Sequence, residues 1–125
     1  MAAPSRYAKQ VLVAGFGTRG QERLAGARVV VVGTGALGCA QAELLVRAGV
    51  GHVTVVDRDF VELGNLHRQI LFDEQDARDA LPKAEAAARR LRALNSEVEI
   101  RPRIADVNPR NVEQLLDGAD VVLDA

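Results

Sequence analysis

With 125 residues, 48% of them hydrophobic, the chain has the size and apolar content of one ordinary domain around one core. Sixteen basic against seventeen acidic side chains leave a net charge of -1, which excludes an overall positive field for nucleic acid or anionic lipid and makes any phosphate binding local. A single cysteine, Cys39, excludes an intramolecular disulfide and a Cys-x-x-Cys zinc pair, and points to a reducing cytoplasm. The opening "MAAPSRYAKQ" has no apolar run like a secretory signal, and no stretch approaches the ~18 apolar residues of a spanning helix. The expectation is a soluble, cytoplasmic protein with no membrane and no nucleic acid among its partners.

Residues 1–5 read as a loose end, and "RYAKQVLVAGFGTRGQERLAGA" as two short helical stretches separated by Gly15, Gly17 and Gly20. From Arg28 an alternation sets in: a strand at 28–32, a helix over about 36–48, a strand at 53–57, then a loop with a short helix. The helix from Pro82 is the clearest. Proline suits a first turn, Ala84, Ala87, Ala88, Leu91 and Leu94 follow at helical spacing, and the other face carries Lys83, Glu85, Arg89, Arg90 and Arg92. "EVEIRPRI", at about 97–104, sets Val98 and Ile100 among charged neighbours, as an outer strand does. Asn108-Pro109 opens a helix to Leu116, Gly118 ends it, and "DVVLDA" is a last apolar strand.

Such alternation implies an α/β fold, a Rossmann-like doubly wound sheet, mainly parallel, with an N-terminal helical arm. The arm spans 1–27 and the nucleotide-binding domain 28–125. Strands in the order 3-2-1-4 would leave 120–124 at an edge with its apolar residues uncovered, so the sheet reads as truncated after its fourth strand.

In "VVVVGTGALG", residues 29–38, a buried strand runs into Gly33, Gly35 and Gly38. The first permits a tight turn, the second a close approach of backbone to phosphate, and the third close helix packing, while the helix N-terminus offers free N–H donors. Asp57 closes the second strand at the offset of a ribose-binding acid. The alternative is that the glycines serve chain packing and Asp57 caps a loop. The nucleotide itself stays open between NAD and others, although Asp57 disfavours a ribose 2′-phosphate.

After Asp57, "RDFVELGNLHRQILF" replaces a direct turn into the next helix, and Asn65, Arg68 and Gln69 fall on the side of the sheet where α/β ligands bind. Lys83 sits in a first helical turn, where a cation is disfavoured unless a phosphate accompanies it. From spacing alone, Arg68 and Lys83 serve equally as phosphate partners or as surface groups.

Taken together, "RYAKQ", "GQERL", "VVVVGTGALGC", "AGVGHVTVVDRDFVELGNLHRQ", "PKAEAAARRLRALN" and "VVLDA" resemble the N-terminal half of the ThiF/MoeB/HesA adenylating family, to which ubiquitin-activating enzymes are related. The resemblance covers residues 6–125 and implies a site for ATP with Mg2+. Gly33, Gly35, Ala36 and Gly38 would lie against the nucleotide, Asp57 would hold the ribose, and Asn65, Arg68 and Lys83 would meet the phosphates. It also implies adenylation of the C-terminal carboxylate of a ubiquitin-like sulfur-carrier protein ending Gly-Gly, with release of pyrophosphate, in making a sulfur-containing cofactor. A homodimer is implied as well, in which an arginine of the arm reaches the partner's ATP. Lys9 holds that position here, keeping the charge without the planar fork, and Arg6 lies one turn away.

The catalytic candidates are thus Arg68, Lys83 and Lys9. The family's Thr-Asp-Asn aspartate would follow "VVLDA", Asp124 alone is not expected to recruit magnesium, and structural zinc would belong only to a following C-terminal half. A non-catalytic nucleotide-binding or dimerisation fragment, and a dehydratase that activates a tRNA base, are the alternative functions. Cys39, in a first helical turn among small residues, reads as a buried structural thiol rather than a nucleophile. His52 and His67 receive no catalytic role.

Overall fold

Four consecutive valines place β1 (Arg28–Val32) at the centre of a parallel sheet, as a strand covered on both faces requires. It pairs with β2 (His52–Asp57) on one side and β4 (Val121–Asp124) on the other, and β3 (Glu99–Ile104) adds beyond β2, giving the order β3-β2-β1-β4. The computed structural model describes residues 5–125, so the loose end expected over 1–5 lies, Ser5 apart, outside the described residues.

The register aligns Val29, Val53 and Ile100 in one row and Val31 with Val55 in the next. These side chains form the core with Cys39, Ala42 and Val46 of α2 (Ala36–Ala48) and with Ala84, Ala87 and Leu91 of α4 (Lys83–Leu94), which follows the short α3 (Glu74–Arg78). Alanines on both helices let them approach the sheet and each other, and each buried valine or leucine stabilises the fold by roughly 1.5–3 kcal/mol. On the opposite face, Gln114 and Leu115 of α5 (Val112–Leu116) line a cleft with Val30, Thr54 and Arg101. Helices therefore lie against both faces of a Rossmann-like sheet. At its outer side His52 Nδ1 stands 2.8 Å from Glu99 Oε2, and His52 with Arg101 holds the Glu99 carboxyl below the usual carboxylate range.

The arm differs from expectation. After a 3-10 turn over Gln10–Leu12, Gly15 breaks the chain at φ 80°, but Gly17 and Gly20 lie inside α1 (Gly17–Gly26). A Cβ on Gly20 would come within 2.5 Å of the Phe16 ring, so this glycine lets the ring close over the helix instead of ending it. Gln10 Nε2 and Gln21 Nε2 both donate to the Ala48 carbonyl, at 2.8 and 3.0 Å, and Asn95 Nδ2 joins Tyr7 to the Val46 carbonyl. The arm is thus tied to the C-terminal end of α2. Regular α5 also begins later than Asn108-Pro109, because the Asn108 and Asn111 side chains accept each other's backbone N–H and form a capped turn first.

Between β1 and α2 the chain turns through Gly33, at φ 96°, whose N–H donates to the Val56 carbonyl at 2.7 Å. Gly38 packs directly on that turn: a Cβ there would overlap the Gly33 carbonyl oxygen. Cys39 is fully buried and its thiol donates to the Thr34 carbonyl at 3.4 Å. Burial pushes its pKa from 9.0 up to about 11, which keeps the proton needed for that bond and confirms a structural thiol.

Gly38→Ala is expected to cost about 3 kcal/mol, read from the urea midpoint, while Gly64→Ala, with nothing within 4 Å of the added methyl, changes it by less than about 0.5 kcal/mol. The native state holds the Cys39 proton to higher pH than the unfolded chain, so its stabilisation is present below pH 9 and is lost as pH rises toward about 11. Urea midpoints measured from pH 7 to 11 should therefore fall more steeply for the wild type than for Cys39→Ala.

Candidate functional site

Everything at the carboxyl edge of the sheet converges on the turn before α2. Gly35 is the N-cap of α2, no side chain caps it, and its φ of -80° is one that any residue adopts. A Cβ on Gly35 would find no protein atom nearer than Gln69 Nε2 at 3.9 Å. Gly33 and Gly38 are thus required by the chain's own packing, whereas Gly35 keeps open a space that a side chain would fill. Ala36 follows as the first helical residue, so first-turn N–H groups face the same space with the positive end of the helix dipole.

Two recesses adjoin along this edge. One is lined by Gly33, Asp57, Arg58, Ala105, Asp106 and Val107, from the ends of all three strands β1, β2 and β3. The other is lined by Asp59, Phe60, Glu62, Asn65 and Lys83. Asp57 is anchored firmly: Thr34 donates to its Oδ2 through both N–H, at 2.8 Å, and hydroxyl, at 2.9 Å, and the Asp59 N–H donates to its Oδ1 at 2.7 Å.

Lys83 departs from the solvated helix face on which its spacing put it: the side chain is 7% exposed. The cause lies in the loop, because the Lys83 N–H donates to the Asp59 carbonyl at 2.9 Å and Phe60 pairs with Pro82, which turns the start of α4 inward. Among the described residues no carboxylate lies within 4.0 Å of its ammonium. The covered part of the side chain is its stem, and the ammonium keeps contact with the recess it lines, where an anion would meet an unpaired cation. Gln69 is also buried, 3% exposed; its Oε1 lacks a donor, while its Nε2, which can donate, stands nearest the space beside Gly35.

Asn65 Oδ1 accepts from the Glu62 N–H at 2.9 Å, which leaves its Nδ2 as a donor on the recess. Arg68 is exposed and folded back, Nη1 donating to the Gly64 carbonyl at 3.0 Å and standing 3.4 Å from His67 Nε2. The structure therefore groups Gly33, Gly35, Gly38 and Asp57 around the turn and Asn65 with Lys83 beside it, and leaves Arg68 on the surface of the loop. Lys9 stands apart. It precedes the 3-10 turn held to Ala48, at the far end of α2, about 20 Å from the glycine turn for a helix of this length. A lysine side chain does not span that distance, so Lys9 does not reach its own chain's turn.

Thr34 was not singled out by sequence reasoning, although its signal was available. With Val32 opposite Val56 in the register, the next residues on each strand bring a hydroxyl at position 34 beside the acid at 57.

The comparisons follow the same geometry. The model of the ThiF family matches residues 7–125. The sulfur carrier protein ThiS adenylyltransferase of Bacillus subtilis (strain 168) is 49% identical over 120 residues, covering 96% of this chain and 36% of the relative, so the chain spans about a third of that protein's length. Among solved structures, the E. coli tRNA N6-threonylcarbamoyladenosine dehydratase TcdA in complex with AMP superposes with a TM-score of 0.88 at 32% identity, over 99% of this chain and 51% of that one. E. coli MccB with ATP gives a TM-score of 0.84 at 30% identity, over 97% of this chain and 37% of that one. With a family model spanning nearly every described residue, and relatives of this fold at these identities, the chain belongs to the ThiF family.

Proposed function

We propose that this chain is the nucleotide-binding part of an enzyme that uses ATP to adenylate the C-terminal carboxylate of a ubiquitin-like sulfur-carrier protein, releasing pyrophosphate, in the making of a sulfur-containing cofactor. The observation that carries the reading is Lys83, whose ammonium has no carboxylate partner among the described residues and lines a recess beside a glycine turn whose middle glycine leaves open space. The relatives' names support adenylation, and the solved relatives with ATP or AMP support an adenine nucleotide as the ligand.

In this reaction a carboxylate oxygen of the carrier attacks the α-phosphorus, the bond from that phosphorus to the bridging oxygen breaks, and pyrophosphate leaves. The nucleophile is already ionised near neutral pH, so no general base is needed. Catalysis then rests on alignment and on charge neutralisation at the phosphates. The α2 N-terminus and the Asn65 Nδ2 donate to phosphate oxygens, Asp57 holds the ribose, Lys83 neutralises charge from the recess, and Gln69 supplies a further polar contact. Arg68 swings from the Gly64 carbonyl to the phosphates when they arrive. Mg2+ accompanying ATP would neutralise part of the triphosphate charge.

Lys9 acts on a partner's site in a homodimer. Leu37 and Leu44, 58% and 68% exposed, form an apolar stripe on the outer face of α2. A two-fold axis across that stripe sets two α2 helices antiparallel and brings the Lys9 end of each near the glycine turn of the other.

Protein expressed from its complete coding sequence should catalyse carrier-dependent exchange of pyrophosphate into ATP, and should bind ATP more tightly than NAD. Arg68→Ala and Lys83→Ala should each lower exchange by about a hundredfold. Loss of exchange with every Gly-Gly-ended carrier, alongside tRNA-dependent ATP consumption, would favour the dehydratase that the TcdA likeness raises. Mixing Lys9→Ala protein with Lys83→Ala protein should restore exchange above either alone, because the mixed dimer holds one intact site.

A further inference from the structure

We infer that Thr34 is a positioning residue that commits one oxygen of Asp57 to the protein, so that Asp57 accepts from a single ribose hydroxyl through Oδ1. The inference rests on the nucleotide reading above and specifies its ribose subsite. A carboxylate offers about four acceptor directions. Thr34 takes both directions of Oδ2, with its N–H at 2.8 Å and its hydroxyl at 2.9 Å, and the Asp59 N–H takes one of Oδ1 at 2.7 Å. One direction remains, on an Asp57 that lines the recess at the carboxyl edge. A clamp on both the 2′ and 3′ hydroxyls needs two.

The direction of the Thr34 hydroxyl is set before any ligand arrives. Thr34 is 0% exposed, its χ1 is stiffened by β-branching, and its backbone is held at both ends, the N–H on Asp57 and the carbonyl by the Cys39 thiol at 3.4 Å. A buried hydroxyl without an acceptor would be destabilising, so the bond to Asp57 is also the reason a threonine is tolerated there. Both groups are therefore preorganised by the glycine turn, and the ligand meets a carboxylate with one free acceptor.

The experiment is isothermal titration of ATP, 2′-deoxy-ATP and 3′-deoxy-ATP into the wild type, Thr34→Val, Thr34→Ala and Thr34→Ser, with tripolyphosphate as a ribose-free probe and urea midpoints as a check of folding. The wild type should bind one deoxy analogue about tenfold more weakly than ATP and the other equally well. In Thr34→Val and Thr34→Ala that ratio should fall toward one through weaker binding of ATP, while Thr34→Ser keeps it and tripolyphosphate affinity stays constant throughout. Equal weakening by both deoxy analogues, or by neither, overturns the inference without any variant, and so does an unchanged ratio in the folded valine or alanine variant. A wild type that binds no ATP overturns the nucleotide reading itself, which separates the two failures.

Discussion

The contact between Gly38 and the carbonyl of Gly33 sets the geometry on which the site depends. With no Cβ in the way, the first turn of α2 settles onto the end of β1, and the helix axis then points its free N–H groups at the carboxyl edge of the sheet. That seating determines where Thr34 lies, and Thr34 in turn spans from β1 to the acid that ends β2. The Cys39 thiol closes the same turn from inside the core. A ligand at this edge meets a surface built by packing rather than one it must organise, and little conformational entropy is lost on binding.

The rigidity of α2 also divides the molecule's functional groups between its two ends. Gln10, Gln21 and Tyr7 fasten the arm at the end where Gly49 terminates the helix, whereas the phosphate-facing groups gather at the end where Gly35 begins it. Thirteen helical residues hold those ends apart, and the arm's hydrogen bonds leave no slack for it to fold back. In the homodimer proposed above, a cation on the arm would serve another copy of the chain, with the exposed leucines between the two ends as the contact. The rod that separates the two groups in one chain would then bring them together across a two-fold axis.

How much of this was legible depended on whether a residue's place follows from local chemistry. The valine run, the glycine turn and the alanine-rich α4 declare themselves because periodicity and steric demand act over a few residues, and their bounds and the strand order match the expectation closely. Gly20 misled because its smallness serves the Phe16 ring, a contact four residues away that no propensity contains. Asn108 misled by one turn because its side chain satisfies the backbone before the helix is regular. That Gly33, Gly35, Gly38, Asp57, Asn65 and Lys83 share one edge was legible, but the poses of the candidate side chains were not. Lys83 is drawn inward by the Asp59 carbonyl and the Phe60–Pro82 pairing, and Arg68 is drawn outward by the Gly64 carbonyl, both tertiary choices made by a loop.

Those poses bear on which nucleotide the turn serves. A glycine turn at a helix N-terminus recognises phosphate through backbone N–H groups and is indifferent to what the phosphate is attached to. The discriminating charge comes from the loop after β2, which a simple dinucleotide site does without. Here it sets Lys83 on the lining of a recess and holds Arg68 on the loop surface through the Gly64 carbonyl. A dinucleotide presents a pyrophosphate bridge between two nucleosides and no further phosphate, whereas a triphosphate tail would extend a higher negative charge past the turn toward that recess. On the ATP reading proposed above, a triphosphate would bring the Lys83 ammonium the anion it lacks among the described residues.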